Sequence, residues 1–170
     1  MLQRIIVRIP KERVNTVKKF KKDIEKEGNV KIKINNEVLI VGDGFNTYVT
    51  SNVIKAIGRG FSYENARKLF KDYILYVIPI SKNRNTLQRI RARLIGTKGK
   101  VRKKIEEMTN TKICIYGKTV SMIGKGDGLN FARDVIEKII EGYSHSYVFR
   151  FLQLCIKKRE NYRESEMEEI

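Results

Sequence analysis

Two six-residue strings, VGDGFN at 41–46 and KGDGLN at 125–130, recur within one 170-residue chain and restrict its folds to those built from a duplicated unit. The residues before each string share a character. VKIKINNEVLIV (30–41) and TKICIYGKTVSMI (111–123) alternate apolar and polar residues about a tight turn, at Asn35-Asn36 and Gly117-Lys118, which predicts a hairpin in each copy. Helical periodicity follows both, through Val49, Val53, Ala56 and Ile57 in the first and Leu129, Ala132, Ile136, Ile139 and Ile140 in the second. Each helix closes on a glycine, an aromatic residue and a serine, Gly60-Phe61-Ser62 and Gly142-Tyr143-Ser144. A further amphipathic helix is expected after each, carrying Ala66, Leu69, Phe70 and Tyr73 or Val148, Phe151, Leu152 and Cys155.

The front halves correspond as well, since RIIVRIP (4–10) and YILYVIP (73–79) are short β-type runs ending in Ile-Pro. Between Pro10 and Val30 there is room for one charged helix, with Val14, Val17, Phe20 and Ile24 on its apolar face. The interval from Pro79 to Ile113 is longer and predicts two helices, one with Leu87, Ile90 and Leu94, the other with Val101, Ile105 and Met108. Gly96-Thr97-Lys98-Gly99 is the break between them. The expected architecture is α+β, with two tandem domains at 1–72 and 73–158, each a three-stranded sheet packed by helices. They join at Asp72-Tyr73 without a linker, and the acidic segment 159–170 is expected to be a frayed helix end or disordered.

Lys and Arg number 36 against 19 Asp and Glu, a formal charge of +17 that attracts polyanions. No apolar run reaches the roughly 20 residues that span a bilayer, and MLQRIIVRIPKERV lacks a signal-peptide core, so a cytoplasmic protein without membrane association is expected. Cys114, Cys155 and His145 are too few and too scattered for a zinc site, and each cysteine is expected as a small core residue. The GDG strings lack the acidic ligands of a calcium loop and are expected as turns capping the next helix. His145 is expected as a capping or packing residue, and IKAIGRG as a helix C-terminus ended by glycine. No clustered carboxylates or nucleophile–base pair suggest an enzyme, and no cofactor or metal is expected.

Gly96–Gly99 is too short for a G-x-x-x-x-G-K-[ST] phosphate loop and follows a helix rather than a strand. It suits the backbone of a single-stranded nucleic acid: two glycines allow close approach, and the amides of the second helix face an anion. Arg84, Arg89, Arg91 and Arg93 precede the loop, Lys98 lies in it, and Lys100, Arg102, Lys103 and Lys104 follow. Ile95, Ile105, Ile113 and Ile115 are expected to floor a groove, with the backbone of Lys112 to Ile115, Cys114 included, available to base edges. Replacing Gly96 and Gly99 by Asp is expected to abolish binding while leaving the fold intact.

LIGTKGKVRKKIEEMTNTKICI resembles the KH-domain pattern: an Ile-Gly-x-x-Gly loop, a basic helix and a Thr-x-x-x-Ile-x-Ile entry to the next strand. The resemblance implies type I KH domains of βααββα order, the first degenerate because it lacks the G-x-x-G loop, with the RNA clamp on Gly96, Thr97, Lys98 and Gly99. KAIGRGFS (55–62), YGKTVSMIG (116–124) and the aromatic terminal helix further resemble archaeal relatives of the ribosome-assembly factor called partner of Nob one. That family implies single-stranded small-subunit pre-rRNA near its immature 3′ end as ligand. It implies as partners the PIN-domain endonuclease that trims that end, and ribosomal or translation-initiation proteins. The competing readings are a protein-interaction adaptor and a binder of other single-stranded nucleic acid, mRNA or DNA.

Overall fold

The computed structural model describes residues 1–168. The first copy runs β1 (Gln3–Val7), α1 (Lys11–Gly28), β2 (Lys31–Ile34), β3 (Val38–Gly42), α2 (Gly44–Gly58) and α3 (Tyr63–Ala66), then a 3₁₀ turn at Arg67–Phe70. The second runs β4 (Ile74–Pro79), α4 (Arg84–Ile95), a 3₁₀ turn at Thr97–Gly99, α5 (Lys100–Thr109), β5 (Lys112–Tyr116), β6 (Thr119–Gly124), α6 (Gly126–Glu141) and α7 (His145–Glu168). Among the described residues the strands form two antiparallel three-stranded sheets of the same order, β1-β3-β2 and β4-β6-β5. The α+β class and the tandem KH-like organisation read from the repeats are thus present. The second copy follows the βααββα order, whereas the first has the one helix α1 where the second has α4 and α5.

Alternation sets the strands' faces. On β2 and β3 the buried positions are Ile32, Val38, Ile40 and Gly42, leaving Lys31 and Lys33 outside. β6 departs from alternation, for Val120 through Gly124 are all buried, as befits a central strand covered on both faces. The β5–β6 turn uses Gly117 at φ 55°, the left-handed geometry a two-residue hairpin requires.

The glycine-aromatic-serine strings fold identically in the two copies. At the end of α2 the Phe61 amide donates to the Ala56 carbonyl and that of Gly60 to Ile57; at the end of α6 Tyr143 donates to Lys138 and Gly142 to Ile139. Both are Schellman endings, with the glycines at φ 99° and 106°. The serines then cap the next helix, Ser62 accepting from the Asn65 amide and Ser144 from that of Tyr147. The GDG strings that first signal the repeat are not equivalent. Asp43 caps α2 by accepting from the Phe45 and Asn46 amides, whereas Asp127 lies inside the first turn of α6.

Several other expectations change. The helix expected after Ser62 is only the single turn of α3 and its 3₁₀ extension, because Lys71 is already extended and leads into β4. Its counterpart α7 continues to Glu168, so the segment expected to fray is helical as far as it is described; Glu169 and Ile170 lie outside the described residues. Its Arg, Glu and Met residues are good helix formers, and Arg163 lies 3.9 Å from Asp127. Cys114 and Cys155 are half-buried rather than core, and burial pushes the Cys155 thiol pKa up.

The chain divides into two compact units, Met1–Ser81 with Lys112–Lys125, and Lys82–Thr111 with Gly126–Ile170. This division departs from the join expected at Asp72-Tyr73, because the β4-β6-β5 sheet groups with the first copy. The reason lies in the first unit's core, where Ile123 is buried together with Val17, Ile24, Ile40 and Ile57, and Tyr73, Leu75 and Cys114 pack against that cluster. Among the described residues no helix is long and apolar enough to cross a membrane.

Candidate nucleic-acid interface

The loop between α4 and α5 has a backbone that its two glycines make possible. The Gly96 amide closes α4 on the Ala92 carbonyl at 2.9 Å, and the residue then adopts φ 72°, ψ 176°, a region reserved for glycine. A Cβ there would lie 2.4 Å from Val101 Cγ2 and 2.9 Å from the Val101 amide nitrogen. Gly96→Asp would therefore displace the start of α5, so the fold-neutral double aspartate substitution expected from sequence does not hold at this position. Gly99, at φ 74°, has no neighbour closer than 3.8 Å to such a Cβ. Between them Lys98 sits at φ 54°, ψ 30° with its side chain exposed, as is that of Thr97.

No side chain caps the N-terminus of α5. The Lys100 amide donates to the Thr97 carbonyl and that of Gly99 to Gly96; a helix start without a side-chain cap still presents its dipole to an anion. Lys98, Lys100 and Lys103 are exposed around this end. Arg102 is already paired with Glu106 at 3.1 Å, and the Lys104 ammonium lies 4.1 Å from the centre of the Phe149 ring. Arg91 is half-buried on α4.

Arg93 holds a different position from the one its place in the basic run suggests. Its guanidinium donates to the Ile139 carbonyl at 2.9 Å and to the Tyr143 carbonyl, fastening the C-terminal end of α6 to α4. The first copy repeats the arrangement: Arg13 donates to the Ile57 carbonyl at 2.8 Å and to that of Phe61 at 2.7 Å. His145, the expected packing residue, adds to the second fastening with Nε2 2.9 Å from the Arg93 carbonyl oxygen. Only the endpoints of these contacts are separated in sequence by enough to hide them. The shared signal is an arginine ahead of an Ile-x-x-x-aromatic helix end in both copies.

The apolar candidates divide by depth. Ile105 is buried at 1% exposure and Ile95 is half-buried. In the other unit Ile113 is buried on β5, while Cys114 and Ile115 are half-buried on the same strand. β5 lies at the edge of its sheet. It is tied to the first copy: a Cβ at Gly60 would come within 2.7 Å of Cys114 Sγ and 3.2 Å of Tyr116 Cβ, and the Tyr116 hydroxyl donates to the Glu12 carboxylate. That hydrogen bond holds Glu12 below the ordinary carboxylate pKa and raises that of Tyr116.

Two exposed tyrosines begin the approach to α7. The Tyr143 and Tyr147 rings stack with centroids 4.8 Å apart at 21°, and Lys138 Nζ lies 5.1 Å from the Tyr143 centroid.

Comparison with known proteins agrees with the loop and the topology. Residues 74–157 match the family model for the second KH domain of PNO1, described as a eukaryotic-type KH domain, KH-domain type I. The KH domain-containing protein MJ0443 of Methanocaldococcus jannaschii is 37% identical over 163 aligned residues, covering 87% of this chain and 72% of that protein. The crystal structure of Dim2p from Pyrococcus horikoshii superposes with TM-score 0.82 at 36% identity, covering 89% of this chain and 98% of that one. A chain of the a/eIF2α–aDim2p–rRNA complex of the same organism gives TM-score 0.86 at 35% identity, with 93% and 96% covered. A protein of unknown function from Aeropyrum pernix, APE0754, gives 0.91 at 30%, with 98% and 97% covered. With a G-x-x-G loop at an uncapped helix start, a type I strand order and relatives matched along nearly the whole length, the chain belongs to the KH-domain family of archaeal Dim2p and PNO1, and its second half is a KH RNA-binding domain.

Proposed function

We propose that this protein is a non-enzymatic ribosome-assembly factor that clamps single-stranded small-subunit pre-rRNA, near its immature 3′ end, in the Gly96–Gly99 loop. The observation that carries this reading is the loop itself: an α5 N-terminus with no side-chain cap, between glycines at positive φ, with Lys98, Lys100 and Lys103 exposed around it. Phosphates accept from the α5 amides and the lysine ammonium groups, which fixes the strand without reading its sequence. Arg91, Arg102 and Lys104 contribute to the positive field rather than to direct clamping. The solved relative bound to rRNA and a/eIF2α supports both an RNA ligand and a translation-initiation protein as partner.

The test replaces the two exposed loop residues instead of the glycines. Thr97→Asp with Lys98→Asp puts carboxylates against the phosphates, and Asp tolerates the left-handed conformation of Lys98. Affinity for an oligoribonucleotide carrying the small-subunit 3′-end sequence should fall by roughly 10- to 100-fold, the scale of one or two charge-assisted hydrogen bonds. The circular dichroism spectrum and melting temperature should be unchanged. Wild-type affinity in that variant would sink the clamp assignment. For Z phosphates neutralised, log K should fall against log salt with a slope of about −0.7Z.

A protein-docking role for the first copy is favoured by Phe45 and Tyr48, exposed on α2. That surface is the one we assign to a protein partner, the PIN-domain endonuclease being the candidate. Phe45→Ala with Tyr48→Ala should weaken that complex in a pull-down while sparing RNA binding.

A further inference from the structure

We propose that the Tyr143–Tyr147 pair is a stacking platform for bases of the RNA strand where it leaves the Gly96–Gly99 loop, so that the bound segment is longer than the loop alone clamps. The inference rests on the RNA-clamping reading above. Three observations carry it. First, the rings are stacked on each other yet exposed at 42% and 46%, an apolar surface the fold leaves in water. Second, the pair is anchored to the loop's own helix. The Tyr143 carbonyl accepts from Arg93, His145 Nε2 lies 2.9 Å from the Arg93 carbonyl, and Arg93 stands three residues before Gly96 on α4. Third, the copy without a loop buries its equivalent. Phe61, in the same position after the same Schellman glycine, is 3% exposed, so exposure of this aromatic accompanies the G-x-x-G loop.

The chemistry of the pair suits a base. Lys138 Nζ lies 5.1 Å from the Tyr143 centroid and 4.7 Å from that of Phe151, and Tyr147, 46% exposed, is the ring on which we place a further base. Every base offers a π-face, so such stacking adds affinity with little sequence preference, and a nearby ammonium meets the strand's phosphates. Single-strand binders commonly join a cationic track to aromatic steps in this way.

The chain has no tryptophan, so Tyr147→Trp creates a single-site fluorescence reporter. The probes are two single-stranded oligoribonucleotides, one of about four nucleotides, the length a KH loop clamps, and one of about ten. Tryptophan emission should be quenched by the longer RNA and not by the shorter. Tyr147→Ala should weaken the longer RNA by roughly 5- to 100-fold and leave the shorter unchanged, with Tyr147→Phe restoring affinity. Removing bases, but not phosphates, from the outer nucleotides should reproduce that loss on the wild-type protein. An undiminished affinity of Tyr147→Ala for the longer RNA, an equal loss for both, or an unresponsive tryptophan would overturn the platform. The Thr97→Asp, Lys98→Asp variant separates the two readings: it must lose the shorter RNA if the loop clamps, whatever Tyr147 does. A Tyr147→Ala variant that binds RNA normally would hand the surface to a protein ligand and end the proposal.

Discussion

In the first copy α1 runs unbroken from Lys11 to Gly28; in the second the corresponding stretch is interrupted at Gly96-Thr97-Lys98-Gly99. The anchors on either side are the same. Arg13 and Arg93 bond equivalent carbonyls, and both stretches end on an asparagine in the left-handed region, Asn29 and Asn110, followed by amides bonded to Glu25 and Glu106. Between those anchors the first copy is only one residue shorter. A G-x-x-G loop and a continuous helix are therefore near neighbours in sequence. Without glycine to take φ 72° at its position, the first copy stays helical and turns Val17 into its core at 0% exposure, whereas Lys98 in the second stands in solvent. The two copies share the scaffold, and the stretch differs in what it presents: a core side chain in the first and an exposed loop in the second.

The sharpest break of this comparison exchanges the two environments. Val17→Lys buries a charge without a partner and should cost about 4 kcal/mol or more, while Lys98→Asn, suited to the left-handed conformation, should stay within about 0.5 kcal/mol. Urea unfolding of both variants measures the contrast, and equal effects would deny the difference in burial. Next come the Schellman glycines. Gly142→Ala meets nothing within 4 Å and carries only the backbone penalty, about 1–2 kcal/mol. Gly60→Ala adds crowding against Cys114 and Tyr116, a further cost of about 1–3 kcal/mol. Similar melting temperatures for the two would mean that β5 yields to the intruding methyl.

The arginine fastenings should by contrast behave alike. Arg13→Ala and Arg93→Ala each remove a charged donor from two carbonyls, for about 2 kcal/mol apiece by thermal melting, and a large inequality would break the structural equivalence of the copies. The smallest effect separates the copies by pH. Burial first, then the hydrogen bond to Glu27 at 2.6 Å, raises the Tyr63 pKa well above its ordinary value of about 10. A raised pKa means the contribution is complete below pH 10, where both states hold the proton, and is lost as pH rises above it and the unfolded chain ionises first. Tyr63→Phe should flatten the decline in stability between about pH 10 and 11, and an unchanged slope would place its origin elsewhere.

Much of this was legible locally. The glycine-aromatic-serine endings, the Asp43 cap, the β5–β6 turn and the position of the loop all depend on contacts within a few residues, which periodicity and turn chemistry report directly. The GDG repeat was legible for a weaker reason: it marks two strand-to-helix junctions, yet Asp127 falls two residues deeper into its helix than Asp43. Arg93 read as one more cation in a basic run because its partners lie 46 and 50 positions away. The restraint on Gly96 was hidden likewise, since Val101 meets it only once α5 has folded back from the loop.

By itself the sequence determined a duplicated α+β chain, one G-x-x-G loop in a cationic setting, and a first copy without that loop. These follow from spacing and from glycine's access to positive φ. Tertiary structure alone decided which cations remain exposed, that the second sheet groups with the first copy's core through Ile123, and that Tyr143 is exposed where Phe61 is buried. Burial and long-range hydrogen bonding belong to pairs of distant residues, and no local pattern records which pairs will meet.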